Sequence, residues 1–230
     1  MSRVFFVLNT LHEFDFGAHL ERYLPDASID IGTALPSRTE SYRLIILWNY
    51  RRVVKPVPPT RNVVVFHSSD LPRGRGWAPI YYALAEGDSH LTISALLAAD
   101  EVDAGEIIAK ARFAIRPDYT ASDLRRFDTE ISIALLRRIL DRFGDRPISG
   151  RPQTGLPTYR DRRTNEDNRI DLTKTFADLI PHLRGCEVDH PAFFEIAGVK
   201  YVVRIEPVRR APDLPPVSYE FMDDAPRAEC

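Results

Sequence analysis

An α/β fold with a mainly parallel sheet is predicted by two features of the sequence. Short apolar runs rich in valine, isoleucine and leucine recur along the first half of the chain, and polar or turn residues bound each of them. Continuous runs of this kind are typical of strands that are buried on both faces, as in parallel sheets. The second feature is helical spacing of apolar residues in the segments that separate or follow these runs.

The predicted strands of the first part are RVFFVLN (3–9), ASIDIG (27–32), YRLIILWNY (42–50) and NVVVFH (62–67). Between the first two strands, FGAHLERYL (16–24) has helical spacing and is expected to end at Pro25. The first part of the chain is therefore a compact α/β unit that opens with a strand and a helix.

The middle of the chain contains two helices and two strands. PIYYALAEGD (79–88) predicts a helix that stops at Gly87. LTISALLAAD (91–100) and GEIIAKARFAI (105–115) predict strands that flank a turn at EVDAG. SDLRRFDTEISIALLRRILDRF (122–143) predicts a long amphipathic helix, with Ser122 and Asp123 as its expected caps.

The last part of the chain is predicted to be an appendage. GRPQTGLPT (150–158) is expected to be a surface connection because it holds prolines and glycines. FADLIPHLRGC predicts a short helix, and FFEIAGVKYVVRIEPV predicts a hairpin that turns near Ala197 and Gly198. Residues 211–230 are rich in proline and acids, so we expect a tail that is loose or held by a partner.

Composition excludes several classes of protein. The 230 residues carry a formal net charge of -2, which gives no overall field that would attract nucleic acid. The two cysteines, Cys186 and Cys230, lie far apart and form neither a disulfide framework nor a metal-binding pattern. No apolar run reaches the roughly 20 residues that span a bilayer. We therefore expect a cytoplasmic protein with no metal and no membrane association.

A histidine and an aspartate follow two of the predicted strands. His67 ends the strand NVVVFH, and Asp103 lies in the turn between the strands of the middle part. If those strands are neighbours, the two side chains meet at the carboxyl edge of the sheet, where open α/β folds bind ligands. Such a pair suits acyl transfer, because the carboxylate favours imidazolium and the imidazole can stabilise an oxyanion. The alternative is a histidine that only caps a strand end.

The residues around this pair resemble the signature of the formyltransferase family that uses 10-formyltetrahydrofolate. The matching residues, in order, are His67-Ser68-Ser69-Asp70-Leu71-Pro72, Arg75-Gly76, Ala78-Pro79, Gly87-Asp88 and Val102-Asp103-Ala104-Gly105. Downstream, TYRDRRTNEDNRIDL (158–172) is similar to the arginine-rich segment of the methionyl-tRNA and sugar-amine members. Two separate matches in the same order make the resemblance specific.

The resemblance implies a Rossmann-like formyltransferase fold and three regions. Residues 1–150 would form the catalytic domain with a shortened N-terminal part, residues 151–210 the appendage, and residues 211–230 the tail. The methionyl-tRNA members carry a C-terminal β-barrel that the remaining chain is too short to form, which disfavours tRNA. The expected reaction is formyl transfer from 10-formyltetrahydrofolate to the amine of a nucleotide-linked aminodeoxysugar. Such enzymes serve surface polysaccharide biosynthesis, and many are homodimers.

The resemblance also assigns roles to residues of the site. His67 would polarise the formyl carbonyl, and Asp103 would raise the imidazole pKa and help to remove the amine proton. Asn49, Tyr50 and Arg51 are the candidates for folate binding, although a purely structural role fits each of them equally well. Ser69, Arg75 and Trp77 are the candidates for binding the acceptor.

Arg75 and Trp77 each have an alternative role. Arg73 and Arg75 could grip a phosphate through their guanidinium groups, or Arg75 could only brace the loop. Trp77 could line the acceptor pocket or pack under the loop.

One position departs from the family pattern. The family has a catalytic asparagine two places before the histidine, and Val65 occupies that place here. Losing one oxyanion donor costs about 2.7 to 4 kcal/mol of barrier, so activity can persist if another donor replaces it. Asn49, Asn62, Ser68 or a backbone amide could do so. The alternatives are a formyltetrahydrofolate hydrolase and a non-catalytic folate- or sugar-binding relative.

Overall fold

The computed structural model describes residues 2–58 and 60–223. The helices are α1 (Gly17–Tyr23), α2 (Pro79–Ala85), α3 (Ala121–Phe143) and α4 (Phe176–Gly185). The strands are β1 (Arg3–Val7), β2 (Ser28–Gly32), β3 (Leu44–Leu47), β4 (Val63–His67), β5 (Arg75–Gly76), β6 (His90–Leu97), β7 (Ile107–Ala114), β8 (Tyr159–Arg160), β9 (Ala192–Ile196), β10 (Val199–Val203) and β11 (Ser218–Phe221). The predicted strands and helices of the first and middle parts are confirmed; most are shorter than predicted, whereas α3 and β6 each begin one residue earlier.

A seven-stranded sheet with the order β11-β7-β6-β4-β3-β1-β2 forms the centre of the molecule. Strands β2, β1, β3 and β4 are parallel to one another. Strands β6, β7 and β11 then add in antiparallel fashion, so the sheet is mixed. Strand β1 connects to its parallel neighbour β2 through helix α1, whereas β6 connects to its antiparallel neighbour β7 through a loop without a helix. The predicted Rossmann-like α/β class is confirmed.

The two faces of the sheet are covered differently. Helices α1, α2 and α3 pack on one face in a large core that includes Phe6, Ile46 and Val64. The opposite face is covered by residues from loops, among them Tyr50 and Ala98. Strand β3 is buried along its whole length, as its continuous apolar run predicts. The face without helices leaves the space in which loops can build a site.

Helix α3 is fixed at its start by a capping box. Thr120 is the N-cap, and its hydroxyl accepts from the Asp123 amide while the Asp123 carboxylate accepts from the Thr120 amide. The expected cap at Ser122 is therefore wrong, whereas Asp123 takes part as predicted. This exchange satisfies two backbone donors that the first helical turn otherwise leaves unpaired.

The appendage has a small core of its own. Ile170, Leu179, Leu183 and Ala192 are buried together where α4 packs on the hairpin of β9 and β10. The hairpin turns at Ala197 and Gly198, as predicted, and both residues have positive φ, of 49° and 76°. Two successive positive φ values match the right-handed twist of the flanking strands.

The prediction of a tail that is loose or held by a partner is wrong for four residues of the described part. Residues 218–221 form β11, which pairs with β7 at the edge of the central sheet. Residues 224–230 lie outside the described residues. Within residues 2–58 and 60–223, no helix has both the length and the apolar character that crossing a membrane requires.

Candidate functional site

His67 is the last residue of β4, and its side chain lies on the sheet face that carries no helix. Strand alternation puts it on the same side as Val65. Its ring is buried, and Nε2 lies 2.8 Å from the Gly74 carbonyl oxygen. Because a carbonyl can only accept, Nε2 must carry a hydrogen. The other nitrogen, Nδ1, is left to face the neighbouring loop.

The carboxylate of Asp103 lies beside that nitrogen. Its Oδ2 is 3.5 Å from Nδ1 of His67 and accepts a hydrogen bond of 2.9 Å from the Gly76 amide. Asp103 has a φ of 53°, in the left-handed region that aspartate tolerates better than most residues. The structure thus brings the two residues together, and an imidazolium at His67 would form an ion pair with Asp103.

The route by which Asp103 reaches His67 differs from the one expected. Strands β4 and β6 are neighbours, but they are antiparallel, so Leu97 at the end of β6 pairs with Val64 near the start of β4. The loop after β6 therefore has to turn back along the sheet before Asp103 meets His67. Meeting at a shared carboxyl edge is wrong as the reason, because it requires parallel strands.

The Arg75-Gly76 pair forms β5 and holds this loop in place. The Arg75 guanidinium is buried and donates to Glu101 and Tyr159 at 2.9 and 2.8 Å. It also donates to the side-chain oxygen of Gln153, whose amide nitrogen donates to the Asp103 carbonyl. These contacts support the bracing role of Arg75 over a phosphate-gripping role. Gln153 is a residue that sequence reasoning missed.

Gly76 is required by close packing. Its φ is +94°, and a Cβ there would lie 2.5 Å from the Arg160 carbonyl oxygen of β8. Only glycine adopts this conformation without strain and allows this approach. The Arg-Gly pair of the sequence signature therefore serves two separate purposes, an ionic brace and a close backbone contact that aims an amide at Asp103.

The three residues predicted to bind folate lie in the loop after β3. Asn9, at the end of β1, fixes the backbone of this loop: its side chain donates to the Asn49 carbonyl and accepts from the Arg51 amide. The Tyr50 hydroxyl donates to the Thr33 carbonyl at 3.2 Å. The side chains of Asn49 and Arg51 are exposed. Sequence reasoning missed Asn9, because nothing in its spacing marks a contact with a distant backbone.

This loop and the loop of Asp103 contact each other. The Val57 amide donates to Oδ1 of Asp100 at 3.2 Å. Both loops lie on the sheet face of His67, where Tyr50, Val54 and Ala98 pack on the central strands. The candidate folate residues and the His67–Asp103 pair are therefore on the same side of the sheet.

Two of the expected replacements for the family asparagine are used elsewhere. The Asn62 amide nitrogen is buried and donates to the carbonyls of Thr39 and Tyr42. The Ser68 hydroxyl donates to Asp128 on α3 at 2.7 Å, on the opposite side of the chain from His67. Val65 itself is partly buried against apolar neighbours. Among the named side chains, Asn49 is the one left as a candidate donor.

The remaining predicted residues have separate surroundings. Ser69 lines a pocket beside α2 rather than the face of His67. Trp77 is 37% exposed, and the Arg162 guanidinium lies 5.0 Å from its ring. Asp70, which replaces a family leucine, pairs with Lys110 of β7. The Asp70–Lys110 pair anchors the loop after β4 to the sheet.

Asp128 is a partly buried carboxyl group close to the site. Burial raises its pKa above the ordinary value, and the Ser68 hydrogen bond and the nearby Arg125 and His67 only partly oppose this effect. The sequence did contain a signal, because Asp128 falls between Leu124 and Ile131 on the apolar side of α3. An acid in that place is costly unless it has a purpose.

Replacing Asp128 with asparagine is expected to stabilise the protein at neutral and alkaline pH. Because the folded-state pKa is raised, the folded protein binds more protons than the unfolded one, and stability falls as pH rises above about 3.8. Asp128→Asn removes this penalty and keeps an acceptor for Ser68. Urea denaturation at a series of pH values measures the free energy of unfolding, and Asp213→Asn, at an exposed position, is the control. Identical pH profiles for Asp128→Asn and the wild type would contradict the assignment.

Comparison with known proteins agrees with the signature. Residues 38–139 match the family model described as formyl transferase. The chain is 31% identical over 190 residues to a methionyl-tRNA formyltransferase from Parvibaculum lavamentivorans, which covers 81% of this chain and 58% of that protein. The chain thus spans less than two thirds of the length of this curated relative.

Solved structures share the fold. Methionyl-tRNA formyltransferase from Clostridium thermocellum aligns with a TM-score of 0.74 and 17% identity, over 96% of this chain and 100% of that one. A sugar N-formyltransferase from a Shewanella species aligns with a TM-score of 0.67 and 17% identity, over 90% and 98%. HypX from Aquifex aeolicus, solved in complex with tetrahydrofolic acid, gives 0.69 and 17%, over 89% and 37%. With the signature and the matched region together, residues 38–139 carry the domain described as formyl transferase, and the chain shares the fold of solved formyltransferases.

Proposed function

We propose that the protein transfers a formyl group from 10-formyltetrahydrofolate to an amine, and that this amine belongs to a nucleotide-linked aminodeoxysugar. The observation that carries the proposal is the 3.5 Å approach of Asp103 to His67 inside the region that matches the family. The imidazole and the carboxylate are the groups that acyl transfer to an amine needs.

The reaction requires four linked changes at the formyl group. The amine nitrogen attacks the formyl carbon, and the carbonyl electron pair moves to oxygen. His67 donates a hydrogen bond to this oxygen, while the charge of Asp103 stabilises the imidazolium form. The carbon–nitrogen bond to the folate then breaks as the oxyanion collapses, and the amine proton passes through the His67–Asp103 pair to the leaving nitrogen. In the structure Nε2 of His67 donates its hydrogen bond to the Gly74 carbonyl. The formyl oxygen must displace this carbonyl to accept the same hydrogen bond.

The folate would bind on the sheet face without helices. Asn49, Tyr50 and Arg51 lie in one loop of that face, and Asp103 lies in the other. Asn9 holds the first loop in a fixed backbone conformation, which lowers the entropic cost of binding. Asn49 has a φ of 48° and an exposed side chain, so it can donate to the formyl oxygen in place of the missing family asparagine.

The acceptor has two candidates. The sugar amine is supported by the sugar N-formyltransferase neighbour, which this chain matches over nearly its full length. The amine of methionyl-tRNA is the second candidate, because the curated relative with 31% identity is a methionyl-tRNA formyltransferase. The division of residues 1–150 and 151–210 into a catalytic domain and an appendage, the homodimer and the cytoplasmic location stay predictions.

Formyl transfer to a panel of amines tests the proposal. The protein is incubated with 10-formyltetrahydrofolate and nucleotide-linked amino sugars or methionyl-tRNA, and mass spectrometry detects the gain of one formyl group. Val65→Asn is expected to increase the rate by about 100-fold, because it restores an oxyanion donor on the side of His67. Val65→Ala, which removes bulk without adding a donor, is expected to give no increase.

Each outcome assigns one function. A formylated sugar supports the proposal, and formylated methionyl-tRNA supports the second candidate. Formate release without any formylated amine indicates a hydrolase. No product from either the wild type or Val65→Asn overturns the enzymatic proposal and leaves a binding protein.

A further inference from the structure

A pocket of about 160 Å³ lies next to the loop that follows β4. Its walls are residues of this loop, helix α2, the first residues of β6, Arg112 of β7 and Arg160 of β8. Neither His67 nor Asp103 is part of the walls. The volume has room for about five water molecules, which is enough for a small charged group.

Two donors on the walls of this pocket lack acceptors. In the part of the chain that the structure describes, the buried Ser69 Oγ and the buried Arg160 Nε have no hydrogen-bond partner. The guanidinium group of Arg160 is held in place by two other contacts. It lies 4.5 Å from the centre of the Tyr82 ring, and its Nη2 pairs with Glu86. Buried donors without acceptors are rare in folded proteins, so a ligand that brings acceptor oxygens fits this arrangement.

The charges of the pocket favour an anion. The acids on its walls are already paired, since Arg73 binds Glu86 and Asp88 at 3.2 and 3.1 Å. Asp70 is likewise paired, with Lys110. Arg112, in contrast, has neither an ion pair nor a hydrogen bond from its guanidinium to any residue in 2–58 or 60–223. Arg112 is exposed and lines the pocket, so its charge is available to a ligand.

The pocket is connected to the candidate catalytic histidine. Gly74 lies in its wall, and the Gly74 carbonyl accepts from Nε2 of His67 at 2.8 Å. The Gly74 amide donates a hydrogen bond to the Thr158 hydroxyl, which fixes the backbone of the loop at this residue. A molecule anchored in the pocket would therefore lie against the short loop that positions the imidazole.

We propose that this pocket binds an anionic group of the amine acceptor, either a phosphate or a carboxylate, through Ser69, Arg112 and Arg160. A guanidinium group and a hydroxyl present the donors that these oxygens accept. The identity of the ligand as the acceptor rests on the proposed function, whereas anion binding as such does not.

Binding of inorganic phosphate and of acetate tests the proposal on the full chain without folate or amine. Each anion is titrated at constant ionic strength, and the rise in Tm is measured. Arg112→Ala and Ser69→Ala are expected to raise the midpoint of the titration by about tenfold or more, because each removes a hydrogen bond or charge to the anion. Arg210→Ala removes the same charge from an exposed position outside the pocket and is expected to behave like the wild type.

The two anions distinguish the source of the charge. A response to phosphate alone indicates a phosphate of the acceptor, and a response to both indicates that a carboxylate also fits. No response to either anion, or equal midpoints in all variants, overturns the proposal. Because no formyl transfer is measured, failure of the proposed function leaves this result readable: the pocket would remain an anion site without a role in acceptor binding.

Discussion

Replacing His67 with alanine is expected to lower formyl transfer by at least about 100-fold, because general acid–base catalysis by a positioned side chain contributes that much or more. His67 lies on the sheet face without helices, where the loop after β3 and the loop of Asp103 also lie. Its Nδ1 is 3.5 Å from the Asp103 carboxylate. The rate is measured with the acceptor that the amine panel identifies. Circular dichroism and thermal denaturation establish that the variant is folded.

Asp103→Asn separates the charge of this residue from its hydrogen bond. The asparagine oxygen can still accept from the Gly76 amide, so the loop keeps its position, but the imidazolium loses its counter-charge. We expect a loss of formyl transfer of similar size to that of His67→Ala. His190→Ala, at an exposed histidine of the appendage outside both the site and the pocket, serves as control. Rates within about threefold of wild type for either His67→Ala or Asp103→Asn would remove the pair from the mechanism.

The sequence was sufficient to predict the strands of the central sheet other than β11 and the proximity of His67 and Asp103, although not the route that brings these two residues together. Continuous apolar runs need burial on both faces, and this requirement holds whatever lies around them. The position of His67 at the end of β4 follows from the same run. The direction of β6 could not be obtained this way, because periodicity is the same in parallel and antiparallel strands.

Contacts between distant polar residues were beyond prediction from spacing. Asn9 and Gln153 act on backbone groups of other loops, and any asparagine or glutamine near a loop has the same appearance in a sequence. The edge strand β11 was also missed. Its four residues lie among prolines and acids, and their pairing with β7 depends on the edge that β7 leaves open. Sequence reasoning therefore succeeded where burial decides the structure and failed where long-range hydrogen bonds decide it.

Replacing Gly105 with alanine is expected to cause the largest loss of stability among these variants, about 3 kcal/mol in the free energy of unfolding. A Cβ at this position would lie 1.7 Å from the Leu97 carbonyl oxygen, a distance at which the backbone must move. Gly105 is buried, and its carbonyl accepts from Gln153, which also holds the Asp103 carbonyl. Any shift at Gly105 therefore displaces the carboxylate that faces His67.

Urea denaturation measures the stability of Gly105→Ala, and Gly17→Ala is the matched control. A Cβ at Gly17 would meet only the Phe14 ring at 3.6 Å, an ordinary contact at the start of α1, so the control is expected to be as stable as wild type or slightly more stable. At a urea concentration where Gly105→Ala remains folded, its formyl transfer should still be reduced, because the Asp103 loop is displaced in the folded state. Wild-type stability for Gly105→Ala, or full activity of its folded fraction, would mean that the loop does not depend on this close contact and that another element positions Asp103.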